Sequence, residues 1–326
     1  MTELTFDALL ERVKVPKRTA IICHRNPDPD TLGSAMGLMY ILSYFGSEAK
    51  IVCSDRLPER SAFITDNTEI FYSGDFSEFE RAVAVDVAAP AQMGELSHIA
   101  EKVDFTIDHH TMSTRFSDYY MEDCAACAQI IFKIADALGL CDKLDMGFFS
   151  AVYAGMSGDT GCFKYSNVTE ETHIIASRLV KKGIDHAEIN RLIFDSKTFK
   201  EIVGQRLTYE HMRLELDNTL AVIMFTNKLK EDNSLTDEDI GDVVNYIRQI
   251  KGVSVAISIK QSPRNEHKFN VSSRSNLDID VSKVCAIFGG GGHIRAAGCT
   301  VSADSPEEAE RIIISAFSEE MIKNGR

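Results

Sequence analysis

The chain has 326 residues, 44% hydrophobic and 26% charged, with 35 Lys and Arg against 49 Asp and Glu, a formal charge of −14. That length suits two domains, and the composition excludes disorder, collagen and coiled-coil rods. The acidity argues against duplex nucleic acid and anionic membranes as partners. No apolar run approaches a bilayer span and the acidic N-terminus is unlike a signal peptide, so the expectation is a soluble, cytoplasmic protein.

The first half reads as alternating strands and helices. Strands are expected over residues 19–23, 48–53, 82–87 and 103–107, and helices over 31–45, 125–138 and 144–156. This rhythm predicts a mostly parallel sheet with flanking helices. Residues 169–182 and 199–214 read as helices, and the domain boundary is placed at 1–205 and 206–326. The second half reads as a smaller α/β domain. It has a strand over 220–225 and a helix over 236–250. Strands over 253–260 and 268–273 form an antiparallel hairpin. Helices over 281–288 and 306–323 and a strand over 298–302 complete it. The eight cysteines are scattered, and Cys124-Ala-Ala-Cys127 has no second pair, so packing is the expected role.

Acidic and histidine clusters fall where the first domain's strands end. His24-Arg-Asn-Pro-Asp28-Pro-Asp30 follows the first strand, with Asp30 read as the cap of the next helix. Asp86 interrupts an apolar strand, Asp108-His109-His110 ends another, and Asp159 is read in a Gly-flanked turn after the helix ending near Met156. Five carboxylates sharing one site would be protonated by mutual repulsion unless cations neutralise them. One metal ion at least, and a second by the carboxylate count, is therefore expected. Asp159-Thr-Gly also fits an aspartic protease, but only one copy is present. A serine triad lacks its Gly-x-Ser-x-Gly elbow, and no Walker A lysine pattern occurs.

In the second domain, Gly289, Gly290, Gly291 and Gly292 precede His293, where backbone N–H groups and a nearby helix start would cradle an anion. Arg274 at a strand end suits bidentate phosphate binding. Between Arg248 and Cys299 stand 8 Lys/Arg and 3 Asp/Glu, a local +5.

With these motifs in order, the chain resembles the DHH phosphoesterase superfamily with its DHH-associated C-terminal domain, and within it the small bacterial oligoribonuclease / 3′-phosphoadenosine 5′-phosphate phosphatases. The resemblance implies an active site in the cleft between the domains and two Mn2+ ions, other divalent ions also serving. It implies that His24 and Asp28 bind one ion, that Asp30, His109 and Asp159 bind the other, and that Asp86 bridges them. Asp108 would support His109 from outside the ligand set and His110 would face the phosphate, making Asp86, Asp108 and His110 the catalytic group. Arg274, Gly289–Gly292 and His293 would bind substrate. Thr31 and Gly158 depart from the family pattern, where alanine and threonine are common. The implied activity is hydrolysis of short RNA or linear dinucleotides to mononucleotides, with 3′-phosphoadenosine 5′-phosphate as a further substrate. Pyrophosphatase or exopolyphosphatase activity and a non-catalytic nucleotide sensor are the alternatives, and a homodimer is left open.

Overall fold

The computed structural model describes residues 1–57, 59–65, 68–72, 76–110, 114–276 and 279–323. The chain forms two compact units, Met1–Ser196 and Lys197–Arg326.

In the first unit α1 (Phe6–Lys14) precedes β1 (Thr19–Ile22), α2 (Pro29–Tyr44) and β2 (Ala49–Val52). β3 (Ile70–Phe71), β4 (Arg81–Val85), β5 (Val103–Asp108) and β6 (Asp118–Met121) follow, then α3 (Cys127–Ala137), α4 (Met146–Asp159), α5 (Glu170–Lys181) and α6 (His186–Asn190). Among the described residues the sheet order is β3-β2-β1-β4-β5-β6, every pair parallel. Period-two alternation gives the sheet two buried faces. Ala20, Ile22, Ala82 and Ala84 pack on Met93, Leu96 and Ile99, while Ile21, Val83 and Val85 pack against α2, α3 and α4. The strand order reverses between β1 and β4, and the loops leaving their carboxyl ends open a crevice where ligands bind in such sheets.

Helices α2 and α4 touch through glycine. A Cβ at Gly33 would stand 2.3 Å from the Ala151 carbonyl oxygen, and one at Gly158 would stand 2.7 Å from Pro29 Cβ. This corrects the reading of Gly158-Asp159 as a turn. Gly158 lies inside α4 because the backbone must come that close to α2, and Asp159 is the helix's last residue.

The second unit begins with α7 (Phe199–His211) and β7 (Arg213–Glu215), then β8 (Leu220–Phe225), α8 (Asn227–Asp232), α9 (Asp237–Ile240), α10 (Val244–Ile247) and β9 (Val255–Gln261). β10 (Lys268–Ser275), α11 (Val281–Ile287), β11 (Gly291–His293), β12 (Ala296–Ser302) and α12 (Pro306–Lys323) complete it. The sheet order is β11-β12-β10-β9-β8-β7, antiparallel except for β8 with β9. The single helix expected over 236–250 is two short ones, because Gly241 takes a φ of 55° and its carbonyl accepts from Lys260 Nζ at 2.5 Å.

Candidate metal centre

The loop after β1 carries His24, Asp28 and Asp30. Asp28, rather than Asp30, caps α2, its Oδ1 accepting the N–H groups of Asp30 at 2.9 Å and Thr31 at 3.0 Å. Asp30 lies inside the first turn of α2 and serves another helix. Its Oδ2 accepts the Cys127 N–H at 2.7 Å and its Oδ1 the Ala128 N–H at 2.9 Å, with the Ser34 hydroxyl at 3.3 Å. Those amides are the orphan donors at the start of α3, which is why a fully buried carboxylate is tolerated there.

Asp86 is not within its strand as the sequence suggested. It lies just past β4 with a φ of 57°, a left-handed conformation that short polar residues accept more readily than apolar ones. Its N–H bonds the Ile107 carbonyl at 2.9 Å, and the Thr31 hydroxyl bonds the Val85 carbonyl at 3.2 Å. Thr31, a departure from the family pattern, thus ties α2 to the residue preceding Asp86.

Two histidines point their Nε2 atoms at this carboxylate. His24 Nε2 is 3.5 Å from Asp86 Oδ2 and 3.5 Å from Asp28 Oδ1. His109 Nε2 is 3.4 Å from Asp86 Oδ1, 3.3 Å from Asp159 Oδ2 and 3.8 Å from Asp30 Oδ2. Each ring is oriented by a carbonyl oxygen, Arg25 O at 2.8 Å from His24 Nδ1 and Cys124 O at 3.1 Å from His109 Nδ1. A carbonyl only accepts, so Nδ1 bears the hydrogen and the neutral ring presents its Nε2 lone pair to a cation. The resemblance implies that Asp108 supports His109, and it does so through the backbone N–H, the ring being held by Cys124 O. Asp108 Oδ1 accepts the backbone N–H groups of His109 and His110 and lies 2.7 Å from His110 Nδ1.

Among the described residues, His24, Asp28 and Asp86 form one group whose ligand atoms lie within 4.8 Å of one another. Asp30, His109 and Asp159 form a second, and Asp86, His109 and His110 a third. The first two bring together, from four separate chain segments, the residues that the resemblance pairs, while Asp86 meets His109 in the third group rather than the second.

The electrostatics fit cations. Burial pushes the Asp30 carboxyl up to about 7, with the Asp86 charge adding to it. Burial, then Asp30 and Asp28, also raises Asp159 well above the usual carboxylate range. Burial opposes charge on His109, yet Asp86, Asp30 and Asp159 overcome it and lift the ring to about 11. His24 is raised well above its usual value, burial again being outweighed by Asp28 and Asp86. Burial likewise opposes ionisation of Asp86, but His109 and His24 hold its carboxyl well below the usual range. Without metal the cluster is therefore held together by protons at the positions divalent ions would take. Buried Asp86 Oδ1 has no hydrogen-bond partner among the described residues, an acceptor a cation would satisfy.

Cys127 is buried with its Sγ 3.4 Å from the Ile107 carbonyl oxygen, and Cys124 directs its thiol at the Ala126 carbonyl, so both pack as the sequence suggested. Their backbone does more: the turn they bound orients His109 and Asp30. No side-chain pattern in the sequence signals that use.

In the second unit, Arg274 on β10 donates to Asp242 Oδ2 at 2.8 Å and to the Ser273 carbonyl at 3.1 Å. The glycine run corrects an expectation. It follows the C-terminal end of α11 as read, but no helix starts beside it among the described residues, and Gly291, Gly292 and His293 pair with Gly298, Ala297 and Ala296 of β12. A Cβ at Gly290 would lie 2.2 Å from the Gly298 oxygen, so close strand approach requires glycine there. Ile287 and Ile294 flank the run and are exposed.

Residues 18–156 match the DHH family N-terminal domain, and residues 217–323 match the DHHA1 domain. The bifunctional oligoribonuclease and PAP phosphatase NrnA of Thermus thermophilus is 29% identical over 311 residues, covering 94% of this chain and 90% of that protein. A probable counterpart from Streptococcus mutans is 30% identical over 301 residues, covering 90% and 92%. The crystal structure of an exopolyphosphatase-related protein from Bacteroides fragilis superposes with a TM-score of 0.87 at 21% identity, covering 98% of both chains, a likeness of fold. RecJ of Thermus thermophilus, crystallised with Mn2+, has a TM-score of 0.53 at 14% identity and is covered over 53% of its length. With both domains matched and a 30% identical relative spanned almost end to end, the chain belongs to the DHH family of phosphoesterases, hydrolases of phosphoester bonds.

Proposed function

We propose that this enzyme is a manganese-dependent, two-metal phosphoesterase that releases nucleoside monophosphates from short oligoribonucleotides or linear dinucleotides. We also propose that it removes the 3′-phosphate of 3′-phosphoadenosine 5′-phosphate. The observation that carries the reading is Asp86, which belongs to two ligand groups at once and keeps a buried oxygen without a hydrogen-bond partner among the described residues. The activity named for the Thermus and Streptococcus relatives supports the substrate class, and the manganese in the RecJ crystal supports the metal.

His24, Asp28 and Asp86 would hold one ion and Asp30, His109, Asp159 and Asp86 the other. Divalent ions at such a centre supply Lewis acidity to a phosphoryl group and lower the pKa of the attacking water. The chain's own residues do the rest. Asp86, buried and backbone-locked, fixes the spacing of the two groups. Asp108 keeps a hydrogen on His110 Nδ1 and so directs the opposite ring edge, which would meet the phosphate as a donor or acceptor. Arg274, the glycine run and His293 would bind a second phosphate or the leaving nucleotide, with Asp242 giving way to the incoming anion.

A substrate panel under manganese tests this. Short RNAs, linear and cyclic dinucleotides, 3′-phosphoadenosine 5′-phosphate and inorganic pyrophosphate are compared by kcat/KM. Preference for short RNA or linear dinucleotides, with AMP formed from the bisphosphate, is expected. Turnover of pyrophosphate alone would overturn the reading.

A further inference from the structure

Two carboxamides outside every motif each tie one ligand group together. Gln92 stands beyond Asp86, in the 3-10 helical segment Pro90–Lys102. Its Oε1 accepts the N–H of Ala88 at 2.6 Å and of Ala89 at 3.2 Å, two and three residues past Asp86. Its backbone carbonyl accepts the Arg25 N–H at 2.6 Å, and the Arg25 carbonyl in turn orients the His24 ring. One residue therefore sets the loops of both His24 and Asp86.

Asn167 does the equivalent for the other group. Its Nδ2 donates to the Ala125 carbonyl at 3.0 Å and to the Asp159 carbonyl at 3.1 Å. The turn it grips there supplies Cys124 O to His109 and the Cys127 and Ala128 amides to Asp30. All three members of the Asp30, His109 and Asp159 group are thus referred to one side chain.

The atoms are unambiguous. Among the described residues Gln92 meets N–H groups, so its oxygen is the contact, and Asn167 meets carbonyls, so its nitrogen is the contact. We infer that Gln92 and Asn167 are positioning residues, each serving one of the two ion groups, Gln92 as an acceptor and Asn167 as a donor. The inference rests on the two-metal reading above.

That chemistry makes opposite demands on isosteres. Glutamate keeps an acceptor at position 92, whereas aspartate at 167 has no donor to offer. A purely space-filling role would tolerate Gln92→Glu and Asn167→Asp alike. Manganese binding is measured calorimetrically in two backgrounds, Asp159→Ala to isolate the His24 group and His24→Ala to isolate the Asp30 group. Losses of support around metal ligands run about 10–100-fold in affinity. In the first background Gln92→Met should weaken binding by that range and Gln92→Glu by less than about threefold. Asn167→Asp should be silent there. In the second background Asn167→Asp and Asn167→Leu should weaken binding about tenfold, since the residue is exposed, and Gln92→Met should weaken it by less than about threefold, because it reaches that ion only through the shared Asp86. Thermal melting checks that each variant folds. Equal effects in both backgrounds, no effect in either, or rescue by Asn167→Asp would overturn the inference. Wild-type protein binding fewer than two ions per chain would instead overturn the two-metal reading, and the two failures are separate.

Discussion

The protons that hold the carboxylate and histidine cluster together in the absence of metal have a measurable consequence at single residues. His109 has a folded pKa near 11 against 6.5 for an ordinary ring, so its contribution to stability is complete below about 6.5 and is lost as pH climbs toward 11. Asp30, at about 7 against 3.8, works in the same direction, because a raised carboxylate favours the folded state only while it is protonated. Asp86, held low, is the opposite case, and its stability is lost only in strong acid. Chelator-treated protein should therefore melt at progressively lower temperature from pH 6.5 to 9, and manganese should flatten that slope while releasing protons on binding. Melting scans across pH with and without manganese check this, and a metal-free melting temperature that rises through that range would contradict it.

Among the elements, the contact of α2 with α4 decides where Asp159 points. Gly158→Ala gains about 0.5–1 kcal/mol of helix propensity. It also drives a methyl to within 2.7 Å of Pro29 Cβ, where overpacking costs about 1–3 kcal/mol. The clash should win and shift α4, so manganese affinity at the Asp30, His109 and Asp159 group falls at least tenfold while the melting temperature moves by only a few degrees. Calorimetric titration beside a melt separates the two, and unchanged affinity would show that α4 absorbs the methyl.

The same contact shows what sequence could and could not convey. β1, β2, β4, β5 and α3 were readable because each carries an apolar run or a 3.6 period of its own, whereas the two-residue β3 is too short to show one. β6 was not readable, since Asp118-Tyr-Tyr-Met121 is half-buried throughout and lies at a sheet edge beside Arg12, with no alternation to betray it. The helical place of Asp159 was hidden because Gly158 and Gly161 look like turn punctuation unless the neighbouring helix is known. The candidate ligand residues stood out by their types and strand-end positions, and the resemblance alone sorted them between two ions. The caps and carbonyls that orient them did not stand out, because the Gln92 carbonyl with Arg25, Asn167 with Ala125, and the 124–128 backbone with His109 and Asp30 meet across 15 to 98 residues of chain.

Across the whole molecule the charges are divided. Every candidate ligand precedes Thr160, whereas Arg274 and His293 belong to the second unit, in the stretch of local +5 charge. Losing a charged contact to phosphate costs ~1.5–3 kcal/mol, or about ten- to a hundred-fold in kcat/KM. Arg274→Ala should show that loss on a linear dinucleotide and less than about threefold loss on a minimal aryl phosphoester, with manganese content unchanged. Equal losses on both substrates would move Arg274 to the reacting phosphate. The half-buried pair with Asp242 contributes little to stability by itself, so the variant should remain folded.

The serial placement of the ligands also sets a timetable for synthesis. His24, Asp28 and Asp30 are made first, Asp86 and His109 next, and Asp159 last, at the end of α4. Until α4 exists, a growing chain offers the Asp30 group only part of its donors. Once Asp159 has been made, translation at roughly 5–20 residues per second still needs on the order of ten seconds to reach Arg274 and His293. Under the two-metal reading, metal capture by the first unit would therefore begin on the ribosome, ahead of the residues proposed to recognise the substrate.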